Sequence, residues 1–146
     1  MQYLVYVSSA TIHFSDEDLK TLLKASRENN VSLGITGMLL YADDNFIQVI
    51  EGEKDVLDTL YAKISRDNRH KSFSILIRGE IKERNFADWS MGFKKISKED
   101  FSQIAGFKNL SAKNSQDALT QLNGGPVLLL LKNFLKINAV EGRYIY

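Results

Sequence analysis

Tyr41-Ala-Asp-Asp-Asn-Phe-Ile-Gln-Val-Ile-Glu-Gly52 is the stretch of this chain from which its fold can be worked out. Such a pattern is typical of a β-hairpin, with Asp43, Asp44 and Asn45 as the turn between two apolar strands. The second strand is apolar on both faces except at Gln48. An unpaired buried amide costs about 1–3 kcal/mol, so Gln48 requires a partner, which either neighbouring polar groups or a ligand must supply.

Hydrophobic periodicity predicts further strands and two helices around this hairpin. Ser15 opens the first helix, with Asp18 in the capping-box position, and Asn29-Asn30 closes it. The expected strands cover residues 2–8, 36–41, 45–51, 72–78 and 89–93, and the expected helices cover residues 16–28 and 54–65.

This order of elements, βαββαββ, predicts a ferredoxin-like α+β fold. Two helices would cover one face of a mixed sheet, and the single hand of the crossover connections leaves few other topologies. From residue 97 onward the pattern changes to helix and loop, and Pro126 opens an apolar helix over residues 127–137. We therefore expect a sheet domain at residues 1–95 and a helical extension at residues 96–146 that packs on the other face of the same domain.

The composition excludes several classes of protein. The chain has 146 residues, of which 44% are hydrophobic and 25% charged, and its formal net charge is +1. These values fit one globular domain and do not suggest a nucleic-acid-binding surface. The absence of cysteine rules out disulfides, thiolate metal sites and a cysteine nucleophile. No signal-peptide pattern and no membrane-length apolar run is visible, so we expect a cytoplasmic protein.

Patterns for catalysis and for metal binding are missing from the sequence. His13 and His70 lie far apart and in no metal-ligand spacing. There is also no Gly-x-Ser-x-Gly, phosphate-loop or Rossmann glycine motif. Glu51 and Asp67 lie near the ends of predicted elements, but nothing pairs them as an acid–base couple. We interpret both as solvated or capping carboxylates.

Three polar residues are expected to come together in this fold. Tyr6 and Gln48 lie in neighbouring strands, and Asn30 lies at the end of the first helix. A phenol both donates and accepts hydrogen bonds, and an amide offers two donors and one acceptor. The pattern leaves two interpretations open. One is a structural bond between Tyr6 and Gln48 beneath a capping Asn30, and the other is a polar network that reaches a planar ligand between the helices.

Five separated segments occur in order over about residues 2–95. They are Leu-Val-Tyr-Val-Ser-Ser-Ala at 4–10, Asn30 six residues before Thr36-Gly37, Phe-Ile-Gln-Val-Ile-Glu-Gly at 46–52, Asp67-x-Arg69-His70, and Asn-Phe-Ala-Asp-Trp-Ser-Met at 85–91. Together they resemble the BLUF family, the blue-light sensors using flavin. The overall form is that of the short single-domain type, with a helical C-terminal extension and no fused enzyme.

The resemblance implies a bound flavin, usually FAD, with FMN or riboflavin as alternatives, whose ring lies between the two helices. Gln48 would bond to the N5/O4 edge of the ring and to Tyr6. Tyr6 would give an electron and a proton to the excited flavin. Asn30 would bond to the O4/N3 edge, and Lys63 would approach the O2 edge.

Further site positions follow from the same resemblance. Leu22 and Ile64 would form apolar walls beside the ring. Four residues would lie around the ring edge or the ribityl chain, namely Asn29, Asp67, Arg69 and His70. For His70, a role as a cap of the second helix stays open. Trp89 and Met91 occupy the Trp-x-Met positions of the fifth strand, which would exchange or shift with the glutamine.

The implied function is that of a photoreceptor and not of an enzyme. Rearrangement of the Tyr6–Gln48 hydrogen bond would place a new or stronger donor at flavin O4, which gives a red-shifted signalling state without net chemistry. The C-terminal helices would then signal to an unidentified protein partner or change the assembly of a homo-oligomer. We expect no direct contact with nucleic acid or membrane.

Three other functions compete with this interpretation. An acylphosphatase-type hydrolase would need an arginine and a glycine-rich anion cradle after the first strand, and residues 7–15 contain neither. An RNA-binding sheet would need exposed aromatic side chains and a basic face. Tyr41 and Phe46 are available, but the net charge and Gln48 argue against it. A flavin-binding or oligomeric module without light output would be yellow but would show no reversible red shift.

Overall fold

The computed structural model describes residues 1–99 and 101–102, in which two helices cover one face of a five-stranded mixed sheet. The elements are β1 (Gln2–Ala10), α1 (Asp16–Leu33), β2 (Thr36–Ala42), β3 (Asn45–Gly52), α2 (Lys54–Ser65), β4 (His70–Glu80) and β5 (Gly92–Lys95). The strand order is β4-β1-β3-β2-β5, with β2 and β5 parallel and the other pairs antiparallel. The ferredoxin-like prediction is confirmed. The helical extension predicted for residues 96–146, including its packing on the other face, lies largely outside the described residues.

The β2–β3 hairpin closes with a two-residue turn. Ala42 pairs with Asn45, so only Asp43 and Asp44 lie between the strands. Both have positive φ, at 50° and 65°, which is the signature of a type I′ turn. The hydroxyl of Tyr41 donates to Asp44 Oδ1 at 2.7 Å. Asn45 is therefore the first residue of β3 and not part of the turn.

Helix α1 begins where the sequence predicts and ends later. Ser15 Oγ accepts from Asp18 N at 3.1 Å, and Asp18 Oδ2 accepts from Ser15 N at 3.0 Å, which completes the capping box. The predicted end at Asn29-Asn30 is wrong, because the helix continues to Leu33. Gly34 forms the C-cap with φ 68°, and glycine reaches this left-handed conformation without steric cost.

The fifth strand starts at Gly92, so its predicted start at residue 89 is wrong. β5 pairs with β2 from Met38 onward. The preceding residues 81–91 connect β4 to β5, and in this connection Trp89 O accepts from Gly37 N at 3.0 Å. The Trp89 and Met91 positions therefore belong to the β4–β5 connection and not to a strand. Alternation of strand faces does not apply to them.

A buried carboxylate anchors the β4–β5 connection to the end of β3. Glu51 is completely buried. Its carboxylate accepts from Asn85 N at 2.6 Å, from Asn85 Nδ2 at 3.2 Å and from Phe86 N at 2.9 Å. Thr36 Oγ1 donates a further bond at 3.1 Å. The interpretation of Glu51 as a solvated or capping carboxylate is thus wrong, because the connection folds over it.

The two faces of the sheet carry separate apolar clusters. On one face, side chains of α1 and α2 such as Leu23 and Leu57 pack on Leu4 and Leu39 of the sheet. On the other face, buried residues of β1, β2 and β3 pack with Ile81, Phe86 and Trp89. No helix within the described residues is long and apolar enough to span a membrane. The helix-covered face is the one that carries the site described next.

Candidate functional site

A cavity of about 300 Å³ lies between α1, α2 and the helix-covered face of the sheet. Small-molecule sites in proteins start at about this volume. The ten residues that the family resemblance assigned to cofactor binding all line this cavity: Tyr6, Leu22, Asn29, Asn30, Gln48, Lys63, Ile64, Asp67, Arg69 and His70. Six further residues complete the lining: Ser8, Ala25, Ser26, Leu39, Phe46 and Leu60. These six were missed because small and apolar side chains give no chemical signal in a sequence.

Tyr6 and Gln48 form a buried pair on the floor of the cavity. They face each other in the β1–β3 ladder, and their side chains are only 2% and 8% exposed. The Tyr6 hydroxyl donates to Gln48 Oε1. Burial raises the pKa of the Tyr6 phenol far above its ordinary value, so Tyr6 holds its proton and remains a donor at neutral pH. The structural hydrogen bond that the sequence suggested is therefore present.

The other end of the Gln48 amide faces a sulfur atom. Gln48 Nε2 donates to Met91 Sδ at 3.6 Å, and Met91 is 1% exposed among the side chains beneath the helices. A thioether is a weak acceptor. The amide thus makes a strong hydrogen bond at its oxygen and a weak one at its nitrogen. Reorientation of Gln48 would therefore lose little hydrogen-bond energy at the Met91 end.

The two positions predicted to relay the signal lie on opposite faces of the sheet. Met91 lies on the helix-covered face beside Gln48. Trp89 packs on the other face, where its ring stacks on Phe86 with centroids 6.2 Å apart and an interplanar angle of 21°. Their placement together on the fifth strand is wrong, because residues 89–91 precede β5. In this structure Met91 is the one of the pair that contacts Gln48.

Asn29 and Asn30 lie within α1 and not at its end. Asn30 is 3% exposed, and its Nδ2 donates to Ser90 O at 2.7 Å. This bond explains why a buried asparagine is tolerated inside a helix. It also makes Asn30 a direct link between the cavity and the β4–β5 connection.

A charged pair and a histidine stand at the rim of the cavity. Arg69 Nη2 contacts Asp67 Oδ2 at 2.5 Å, and the hydrogen bonds from Arg69 lower the pKa of Asp67 to about 2. His70 is the first residue of β4 and pairs with Ala10. Its alternative role as a cap of α2 is wrong, because the C-cap of that helix is Arg66.

The His70 ring lies among aromatic side chains. It stacks on Phe14 at a centroid distance of 5.9 Å and meets Phe46 edge-on at 5.0 Å. Its Nδ1 atom is buried without a hydrogen-bond partner in the described structure. Buried polar atoms are normally paired. An unpaired ring nitrogen in the lining of a cavity therefore indicates room for a polar ligand group.

Acidification is expected to destabilise the fold through His70. Burial lowers the pKa of His70 below its usual 6.5, so the unfolded chain binds this proton more readily than the folded one. The free energy of unfolding should consequently fall as the pH drops from about 7 through 6. Urea titrations at pH 7 and pH 6 should show a smaller fall in the free energy of unfolding for His70→Gln than for the parent chain. Equal falls in His70→Gln and the parent chain would contradict this assignment.

The cavity meets the requirements of a flavin ring. Leu22 of α1 and Ile64 of α2 supply apolar surface from both helices, and the amides of Asn30 and Gln48 supply hydrogen-bonding groups. Flat aromatic heterocycles are held in proteins by this combination of apolar walls and a few placed polar groups. The unpaired His70 Nδ1 adds a polar atom to the same lining.

Comparison with known proteins identifies related chains. The family model BLUF, described as "sensors of blue-light using FAD", matches residues 1–92. The photoactivated adenylate cyclase subunit beta of Euglena longa is 38% identical over 120 residues, which are 82% of this chain and 13% of that protein. BlrB, a BLUF protein in its dark state, aligns with a TM-score of 0.66 and 30% identity over 92% of this chain and 96% of its own. The photo-activated state of BlsA aligns with a TM-score of 0.66 and 32% identity over 93% and 92%.

Proposed function

Because the chain belongs to the BLUF family of blue-light sensors that use FAD, we propose that its cavity between α1 and α2 holds the flavin and that Tyr6 and Gln48 report the absorbed light. As a member of this family the chain is a flavin-based blue-light sensor. The observation that carries the proposal is the hydrogen-bonded series from Tyr6 through Gln48 to Met91 on the floor of that cavity.

The side chains around the cavity suit distinct parts of a flavin. Leu22 and Ile64 would hold the ring from its two faces, and Asn30 and Gln48 would meet its polar edge. The ammonium group of Lys63 would lie near the O2 edge. Asn29, Asp67, Arg69 and His70 would contact the ring edge or the ribityl chain.

We propose FAD as the bound form, as in the description of the family, with FMN and riboflavin as alternatives. The ring and the ribityl chain are common to all three, so the residues of the cavity recognise a part that does not distinguish them. Mass analysis of the flavin released from purified protein identifies the form directly.

The chain's own groups suit a reversible switch. A bound flavin supplies light absorption and, once excited, an acceptor for one electron and one proton. Tyr6 is a protonated phenol already bonded to Gln48, so transient loss of its proton removes the donor that holds Gln48 Oε1. The Gln48 amide can then rotate or tautomerise, because its other end is held, among the described residues, by the weak Met91 Sδ acceptor. The electron and the proton would both return to Tyr6, so that no net chemistry remains, and the amide would keep its new arrangement until it relaxes.

The absorption spectrum of the purified chain tests this function. We expect a yellow protein whose flavin band moves to longer wavelength under blue light and returns in the dark. A hydrogen bond to flavin O4 that is stronger in the excited state than in the ground state lowers the energy of the absorption. The flavin band should therefore move to the red. Failure to take up FAD, FMN or riboflavin, or bleaching without a shift, would refute the proposal.

We propose that output does not involve catalysis by this chain but passes through the residues after β5. The chain spans about 13% of the length of the Euglena cyclase subunit it matches. The proposed recipient of the signal is a protein partner or a second copy of this chain. Two contacts tie the start of this segment to β2 and its turn: Ile96 N donates to Tyr41 O at 2.9 Å, and Lys98 Nζ pairs with Asp43 at 2.8 Å. Hydrogen exchange over residues 97–137 should differ between dark and light, and identical exchange would count against this route.

A further inference from the structure

Three consecutive carbonyl groups of the β4–β5 connection each accept a hydrogen bond from the body of the domain. Trp89 O accepts from Gly37 N of β2 at 3.0 Å, and Ser90 O accepts from Asn30 Nδ2 of α1 at 2.7 Å. Met91 O accepts from Arg27 Nε at 2.8 Å. The first donor, Gly37 N, belongs to the sheet, and the second, Asn30 Nδ2, belongs to the cavity lining. The third belongs to a residue outside the cavity lining.

Arg27 contacts the same residue that contacts Gln48. The Met91 carbonyl is bonded to Arg27, and the Met91 sulfur accepts from Gln48 Nε2. A charged donor such as a guanidinium makes a stronger hydrogen bond than a neutral one. The contact with Arg27 therefore fixes the backbone from which the Met91 side chain reaches Gln48.

Gly92, the residue after Met91, is closely packed against two side chains. A Cβ atom added at Gly92 would lie 2.6 Å from Met38 Sδ and 2.8 Å from the Trp89 ring. Contacts this short cannot be accommodated without displacement of neighbours. The backbone around the Met91 carbonyl is thus held at two points, by close packing at Gly92 and by Arg27 at the carbonyl oxygen.

We propose that Arg27 is a positioning residue for the light switch, which acts by holding Met91 in the arrangement that accepts a hydrogen bond from Gln48. This proposal rests on the proposed light-sensing function. Arg27 then governs how fast the illuminated state returns to the dark state, because the return requires Met91 to be seated against Gln48 again. It does not govern whether the red shift occurs, since Tyr6 and Gln48 are untouched.

The test is the rate of dark recovery in the full chain loaded with FAD. Arg27→Met removes every donor and keeps most of the length of the side chain. We expect it to retain the red shift and to recover about threefold more slowly or slower still. Lys24→Met changes an exposed cation one turn earlier on α1 and should recover at the parental rate. Recovery of Arg27→Met within about 1.5-fold of the parent would overturn the proposal.

A double-variant cycle separates positioning from a general role in stability. In a Met91→Leu background the sulfur acceptor is gone, so Arg27→Met should change recovery by less than about 1.5-fold. The same slowing in both backgrounds would show that Arg27 acts without Met91 and would overturn the proposal. If Arg27→Met does not fold, Arg27→Lys decides the question, with intermediate slowing expected and a parental rate contradicting it. Absence of any red shift in the parent chain would instead refute the light-sensing function.

Discussion

Replacement of Tyr6 by phenylalanine is expected to leave the flavin bound and to abolish the red shift. The substitution removes only the hydroxyl that donates to Gln48 Oε1. The phenyl ring keeps its place among Tyr61 and Phe73, whose centroids lie 5.2 and 5.9 Å from that of Tyr6. The cavity should therefore keep its shape and lose the hydroxyl that we propose gives up and recovers a proton. Absorption spectra before and after blue illumination measure the outcome.

Tyr61→Phe is the matched control for this experiment. The Tyr61 ring packs edge-on against the Tyr6 ring, with an interplanar angle of 75°. No hydrogen bond joins Tyr61 to Gln48 in the described structure. We expect its red shift to match that of the parent chain. A full red shift in Tyr6→Phe, or its loss in both variants, would contradict the assignment of the switch to the Tyr6 hydroxyl.

Replacement of Glu51 by leucine is expected to cost about 2–6 kcal/mol of stability. The carboxylate accepts from two backbone N–H groups, those of half-buried Asn85 and of buried Phe86, and loss of the acceptor of such a shielded donor costs about 1–3 kcal/mol. Small domains are stable by only about 5–15 kcal/mol. Glu51→Leu should therefore lower the urea midpoint strongly.

Glu53→Leu controls for the loss of a carboxylate at this end of the sheet. Glu53 is exposed at the N-cap of α2, and its side chain makes no capping bond. Its replacement should change the free energy of unfolding by no more than about 0.5 kcal/mol. If Glu51→Leu has the same free energy of unfolding as the control Glu53→Leu, the Glu51 carboxylate does not anchor the β4–β5 connection.

The fold was predictable because local signals and the global pattern agree over most of the sheet domain. The Asp43-Asp44 turn, the capping box at Ser15 and the apolar face of α2 each point to the element that forms. The predicted end of α1 was too early. Two consecutive asparagines are typical of a helix C-terminus, and the sequence does not show that the Asn30 side chain has a hydrogen-bond partner elsewhere. That partner, Ser90 O, lies 60 residues away in sequence, and no local pattern reveals it.

The candidate site was predictable to a different degree. The ten cavity residues came from segment spacing and the family resemblance, and the fold brings them to one cavity. The separation of Met91 from Trp89 could not be predicted, since residues outside regular structure follow no alternation. The burial of Glu51 and the contact of Arg27 with Met91 O were also hidden. Both depend on the path of the β4–β5 connection, which tertiary contacts determine.

In the proposed switch, Gln48 changes its hydrogen bond to the flavin when light is absorbed. The most direct measurement is a light-minus-dark infrared difference spectrum of protein labelled with ¹³C around an unlabelled flavin, which separates the flavin carbonyl bands from those of the protein. A new or stronger donor at flavin O4 weakens that carbonyl bond, so we predict that its stretch moves to lower wavenumber in the parent chain and does not move in Gln48→Leu. A flavin carbonyl band that is unchanged by light in the parent chain, or that moves equally in Gln48→Leu, would contradict a light-driven change in the Gln48 hydrogen bond.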